Sequence, residues 1–186
     1  MIRTFIAAEI SPAVKKGLTT DIARFKILAP RVKWAEPDNL HLTFRFLGDV
    51  KETDLEELFD ALEDGVSHLE PFALEVKGVG AFPNWRHPRV VWAGAGEGVD
   101  DATFLTASVE EACVSLGYDR ERRPFQPHFT LGRVKFPADA DGLEDIAADP
   151  DKTYGFIDVD AVVVFMSTLR RTGPVYSPMA RIELNG

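Results

Sequence analysis

Two short strings in this chain carry residue types suited to acid–base chemistry. His41, Leu42, Thr43, Phe44 and His128, Phe129, Thr130, Leu131 share one order: imidazole, apolar, hydroxyl, apolar. Their histidines stand 87 positions apart in a chain of 186 residues. Histidine is the side chain whose free pKa, about 6.5, lets it take or give a proton near neutrality. Two of them on opposite walls of one site can hold opposite protonation states. One then draws a proton from water while the other protonates a leaving alkoxide, in line across a phosphorus. A threonine beside each can donate a hydrogen bond to a non-bridging oxygen, where charge is redistributed in the transition state. Either string alone is weak, but the pair in matching apolar frames points to one shared site. The residues do not say which imidazole is acid and which is base.

Both strings read as strands, because Thr, Phe and Leu sit easily on a pleated surface. Residues two apart share a face, so each histidine shares a face with its threonine, and the apolar pair looks into a core. Strict alternation aims Arg45 at the same place as His41 and Thr43, as a positive charge for a phosphate. The same alternation turns Phe46 to the core. Arg133 has the wrong parity relative to His128, and Gly132 is where a bulge would re-aim it.

The elements around these strings follow from local signals. Residues 2–9 form an opening strand. Ser11 and Pro12 start a helix by capping and by preset φ, with Val14, Leu18, Ile22 and Phe25 on its apolar side and an end near residue 28. Residues 32–34 form a short strand, and a turn at 36–39 leads into the first motif strand, 40–47, which Gly48 ends. Thr53 and Glu56 have the form of a capping box, and a helix over 53–68 carries Leu55, Leu58, Phe59, Leu62 and Val66. His68 closes it, where a cation suits the helix dipole. Strands follow at 72–82 and 89–95, separated by a proline-bounded loop holding Trp85, Arg86 and His87. Asp100 or Asp101 caps a third helix that Gly117 stops. A polar stretch with Arg120, Arg122 and Arg123 precedes the second motif strand, 127–136. An acidic segment, 138–150, holds one short helix. Two long strands, 156–169 and 175–184, form a hairpin through residues 170–174. The order is that of an α+β fold with mostly antiparallel sheet, as two related lobes with the motif strands central to each.

Composition bounds the partners. The net charge of −9 argues against salt-driven gripping of a nucleic-acid duplex, which needs a clustered basic surface. It leaves room for a nucleic-acid end, a nucleotide or another small phosphate ester. No run of about 18 apolar residues indicates a membrane span, and the N-terminal stretch meets an acid too early for a secretory signal. The single cysteine, Cys113, falls on the apolar side of the third helix as a small buried side chain. These features place the protein in the cytoplasm. Two histidines without nearby cysteines or a carboxylate pattern do not make a zinc site. No phosphate loop or serine-type nucleophile motif is present.

The motifs and their frames resemble the two-histidine (2H) phosphoesterases. The resemblance rests on Arg3 to Ala7, Val32-Lys33-Trp34, His41 to Gly48, Gly80 to Pro83, Pro124 to Arg133, Ser167-Thr168-Leu169 and Gly173 to Tyr176, and so covers nearly the whole chain. Phe46-Leu47-Gly48 after the first motif, and Pro127 before the second with Leu131 and Arg133 after it, narrow it to the RNA 2′,3′-cyclic phosphodiesterase branch, also called LigT or 2′-5′ RNA ligase. The resemblance implies one bilobal LigT-like domain over 1–186, with two mainly antiparallel sheets facing a central cleft and helices outside. It implies hydrolysis of 2′,3′-cyclic phosphate ends of RNA, tRNA fragments among them, to 2′-phosphates by a monomer that needs no metal or other cofactor. Joining of ends through a 2′-5′ bond is the reverse-type reaction. It assigns His128 as proton acceptor toward water and His41 as proton donor toward the ribose oxygen, with Thr43 and Thr130 beside them. Arg133 is then the phosphate contact, and an aromatic at Phe46 can stack on a base. Small cyclic nucleotides are alternative substrates. The competing class is a non-catalytic module that binds a phosphate ester in the same cleft.

Overall fold

In the computed structural model, which describes residues 1–171 and 173–186, these signals build an α+β fold. The elements are β1 (Ile2–Ala8), α1 (Pro12–Leu28), β2 (Lys33–Trp34), β3 (Leu42–Val50), α2 (Leu55–Val66), β4 (Phe72–Phe82) and β5 (Val90–Ala95). They continue with α3 (Val99–Ser115), β6 (Phe129–Arg133), α4 (Glu144–Ala147), β7 (Thr153–Val159), β8 (Ala161–Arg170) and β9 (Gly173–Glu183). The strands pair antiparallel in the order β7-β4-β5-β6-β3-β1-β8-β9, with β2 alongside β6. The two expected sheets are thus halves of one curled sheet, joined where Leu42 of β3 pairs with Phe129 of β6.

Helix starts are legible only in part. Ser11 Oγ accepts from the Val14 N–H, as its capping position requires. The expected box at Thr53 does not form. Residues Glu52–Asp54 make a 3-10 turn, Thr53 Oγ1 donates to Asp54 instead, and α2 begins at Leu55. α3 begins at Val99 after Gly98, so Asp100 and Asp101 lie in its first turn rather than capping it. The run 156–169 is not one strand. Asp160 divides it into β7, which pairs with β4, and β8, which pairs with β1. The chain crosses from one half of the sheet to the other through that residue. The expected turn at 170–174 contains Thr172, which lies outside the described residues.

The helices cover one face of the sheet. Ile6, Leu42, Phe44, Leu74, Val91, Phe129, Leu131 and Val164 pack there with Val14, Leu18 and Phe25 of α1, Leu58 and Leu62 of α2, and Leu105 and Val109 of α3. On the other, concave face Phe5, Ala7, Val163 and Phe165 make a smaller cluster beside Tyr176.

A bulge interrupts each motif strand at the same distance from its histidine. In β3, Thr43 pairs with Ala7 and Arg45 with Ile6, so Phe44 is the extra residue. In β6, Thr130 pairs with Trp92 and Gly132 with Val91, so Leu131 is the extra one. Two consecutive residues then face the helices, and the parity of the next residues is reversed; in β3 a second shift at Leu47, between the pairs Phe5–Phe46 and Thr4–Gly48, follows directly. Phe44 and Arg45 are both buried and Phe46 is exposed; Leu131 and Gly132 are both buried and Arg133 is exposed. The re-aiming of Arg133 therefore occurs. A Cβ on Gly132 would lie 2.7 Å from the Trp34 ring, so the glycine is what lets that indole close the core.

The same device overturns the reading of Arg45. Its guanidinium faces the helices, 2.9 Å from the Glu110 carboxylate of α3, and also donates to the Asp119 carbonyl. It is an internal strut, not a phosphate ligand. Breaking such a pair from one side leaves an uncompensated buried charge, whereas replacing both partners by apolar groups is often tolerated. In urea unfolding, Arg45→Met is expected to cost about 3–5 kcal/mol, and the double variant Arg45→Met, Glu110→Leu to recover most of that loss.

Candidate active site

The register set by Leu42 and Phe129 decides what the motifs can do. An antiparallel pair at 42 and 129 puts position 41 opposite 130 and position 43 opposite 128. Each histidine thus faces the threonine of the other motif on the concave face. Directly opposed side chains start about 5 Å apart and diagonal ones about 7–8 Å apart. In that register the two histidines stand on the diagonal, a span of about 7–8 Å in a regular sheet that admits a tetrahedral phosphorus between them. Both histidines and both threonines are partly exposed.

The two imidazoles are held in the same way. His41 Nδ1 lies 2.8 Å from the Asn39 carbonyl, and His128 Nδ1 lies 2.7 Å from the Gln126 carbonyl. A carbonyl oxygen only accepts, so each Nδ1 donates, and Nε2 is left on each ring to exchange a proton. Asn39 is itself tied down, its Nδ2 donating to the Pro174 carbonyl at 3.0 Å. Aromatic rings fix the imidazole planes. His41 lies 4.8 Å from Phe5 and edge-on to Tyr176 at 5.2 Å. His128 stands edge-on to Phe82 at 5.1 Å, and Phe82 packs on Trp92.

Burial pushes the His41 imidazole down to about 4; the Asn39 hydrogen bond opposes this, and the charges of Arg133 and His128 add to it. Arg133 also acts on the Tyr176 hydroxyl, whose pKa burial raises. Its charge therefore reaches both groups around the first histidine from the strand of the second. Because the folded pKa of His41 lies below the free value, the fold favours the neutral ring. That contribution to stability is present above about pH 6.5 and is lost as pH falls toward 4.

Of the site residues expected from the sequence, His41, Thr43, His128, Thr130 and Arg133 come together on the concave face, and Arg45 does not. Phe46 belongs there as well, contrary to its assignment to the core. It is 51% exposed, nearly parallel to Phe5 at 6.4 Å, with the Arg3 guanidinium 4.9 Å above its ring. Sequence reasoning missed Phe5, Tyr176 and Phe82 as ring supports. The one signal for Phe5 is that β1 is apolar at consecutive positions, as a strand buried on both faces would be. His87 lies in the exposed loop after Phe82. Cys113 is buried, and burial pushes its thiol up to about 11, away from nucleophile chemistry. Among the described residues no three His, Cys, Asp or Glu side chains are grouped to hold a metal ion, and no helix is long and apolar enough to cross a membrane.

Comparison with known proteins bears on the family and the fold. A family model described as LigT like phosphoesterase matches residues 9–92 and 96–176. The RNA 2′,3′-cyclic phosphodiesterase of Methanothermobacter thermautotrophicus is 33% identical over 184 residues, 98% of this chain and 99% of that one. The protein of the same description from Thermotoga maritima is 33% identical over 185 residues, 100% of this chain and 97% of that one. Among solved structures, TT0787 of Thermus thermophilus matches with a TM-score of 0.84 at 26% identity, over 100% of this chain and 99% of that one. Escherichia coli LigT complexed with 3′-AMP shares the fold, with a TM-score of 0.81 at 24% identity over 100% and 99% of the two chains.

A cation beside an imidazole disfavours its protonated form. In an NMR titration the His41 ring, held down chiefly by burial, is expected to have its midpoint near 4, and removal of the cation by Arg133→Gln to move that midpoint upward. A His41 midpoint at the free imidazole value in the unaltered protein would contradict the burial described above.

Proposed function

This chain belongs to the LigT like phosphoesterase family, and from that premise we propose that it hydrolyses the 2′,3′-cyclic phosphate ends of RNA to 2′-phosphates. The observation that carries the reading is the twin imidazole arrangement. Each Nδ1 is spent on a carbonyl, and the two rings lie across the one pair that joins the sheet halves. His128 takes a proton from water as its oxygen bonds to phosphorus. The bond from phosphorus to O3′ breaks on the opposite side, and His41 gives its proton to that oxygen. The 2′ ester is kept. Thr43 and Thr130 donate to the non-bridging oxygens, Arg133 balances the phosphate charge, and Phe46 offers its exposed face to a base. With a 5′-hydroxyl in place of water, the same displacement joins two ends through a 2′-5′ bond.

A neutral His41 at rest is compatible with its role as donor. The phosphodiester brings a negative charge against the ring, which opposes the effect of Arg133 and raises the imidazole pKa as substrate binds. Two imidazoles supply both proton transfers, so the proposed reaction needs no metal. One chain supplies both walls, so it proceeds in a monomer. The buried, unpaired Cys113 fits a reducing cytoplasm.

Product analysis on an RNA with a cyclic end is expected to show a 2′-phosphate; a 3′-phosphate would overturn the assignment of the leaving oxygen. His41→Ala and His128→Ala should each lower kcat about 10²–10⁴-fold with KM largely kept, and EDTA should leave the rate intact. The profile of kcat/KM should be bell-shaped, with one limb well below the free imidazole value because of His41. A profile flat from about pH 4 to 9 would exclude the shared proton work.

A further inference from the structure

Like charges placed directly opposite each other on one sheet face repel. The pairing of β2 with β6 nevertheless sets Lys33 opposite Arg133. Both are exposed, and among the described residues neither lies within ion-pair distance of a carboxylate. Acidic residues outnumber basic ones 30 to 21 in this chain, so two adjacent cations without an acid call for a reason.

The face they occupy follows from their neighbours. Trp34 is buried against Phe25, donates its Nε1–H to the Ala29 carbonyl, and closes on the bare Cα of Gly132. Positions 34 and 132 thus face the helices, and positions 33 and 133 face the concave side. The cleft charge of Arg133 is felt at His41 and Tyr176. β5 takes one edge of β6 at residues 132 and 133, so β2 takes the other edge. That is the edge β3 leaves as it diverges beyond the single pair at Leu42 and Phe129. Lys33 therefore stands where the two halves of the sheet open apart, one strand spacing from Arg133.

We propose that Lys33 binds a second phosphate of the substrate, the internucleotide phosphate one step upstream of the cyclic end. An anion lying against each of them relieves the repulsion between Lys33 and Arg133. The cleft thereby favours the end of an RNA chain over a free mononucleoside cyclic phosphate. This rests on the reaction proposed above, and it adds which member of the substrate class the site selects.

The test compares a dinucleotide ending in a 2′,3′-cyclic phosphate with the mononucleoside 2′,3′-cyclic phosphate, at several salt concentrations. Lys33→Gln is expected to lower the preference in kcat/KM for the dinucleotide about tenfold, the scale of one charge-assisted hydrogen bond, through KM. The salt dependence of the dinucleotide should become shallower by about 0.7 in log–log slope. Lys33→Arg should keep both. Equal losses on the two substrates would overturn the proposal, because Lys33 would then serve only the reacting phosphate; an unchanged ratio and slope would overturn it too. Calorimetric binding of the two 2′-phosphate products reads the same ratio without turnover. An absence of turnover in the unaltered protein would thus overturn the reaction, while the Lys33 contact would still be decided by binding.

Discussion

The pairing of Leu42 with Phe129 is the constraint on which the site depends. It is the bond between two halves of a sheet that otherwise diverge, and it falls on the middle residue of each motif. Both residues are fully buried, so the apolar position between histidine and threonine is the floor beneath the chemistry. Because side chains alternate with a period of two, a slip of one residue would send a whole motif to the other face. Imidazoles and hydroxyls would then enter the core, and the leucine and phenylalanine would enter the cleft. The core therefore enforces the register that the chemistry needs, and neither histidine has to hold it.

Beyond that pair the halves stay alike in geometry and part in chemistry. Each bulge brings the fifth residue after its histidine back into the cleft: Phe46 on one side and Arg133 on the other. The residue just before it goes to the core in both. There one half places Arg45 against Glu110, and the other places a glycine under Trp34. A symmetric frame thus presents an apolar plate on one wall and a cation on the other. A nucleotide is unsymmetric in the same sense, with a flat base at one end and a phosphate at the other.

How much of this was legible in the sequence varies with the range of the signal. Ser11 with Pro12, and the glycine stop at Gly117, act over a few residues and read correctly. The strand character and facing of the two motifs also read from one short string each, although β3 and β6 begin only at Leu42 and Phe129, just after the histidines. The bulge after His128 was legible because glycine marks it, and the matching bulge at Phe44 was not, because nothing about Phe44 or Arg45 departs from an ordinary strand. That one silent residue reversed the expected faces of Arg45 and Phe46 together. Asp160 was also silent. A single polar residue between two apolar runs looks like alternation, yet there the chain changes partners from β4 to β1. Phe5 and Tyr176 were missed for a related reason, since apolar residues on both faces of a strand do not say which face is the site.

The crossover at Asp160 has a consequence for the order in which the walls mature. Apart from the two-residue β2 on one edge of β6, the half that carries His128 is built from β4, β5, β6 and β7, which follow one another along the chain. The half that carries His41 is built from β1 and β3 together with β8 and β9, so its members come from opposite ends. Tyr176 beside the His41 ring, and the Pro174 carbonyl that anchors Asn39, both lie on β9. As the polypeptide leaves the ribosome, β1 and β3 must wait with an open edge until β8 emerges. Such long-range closure slows folding and exposes unpaired strands meanwhile. The wall whose histidine comes earlier in the chain is therefore the last to be completed.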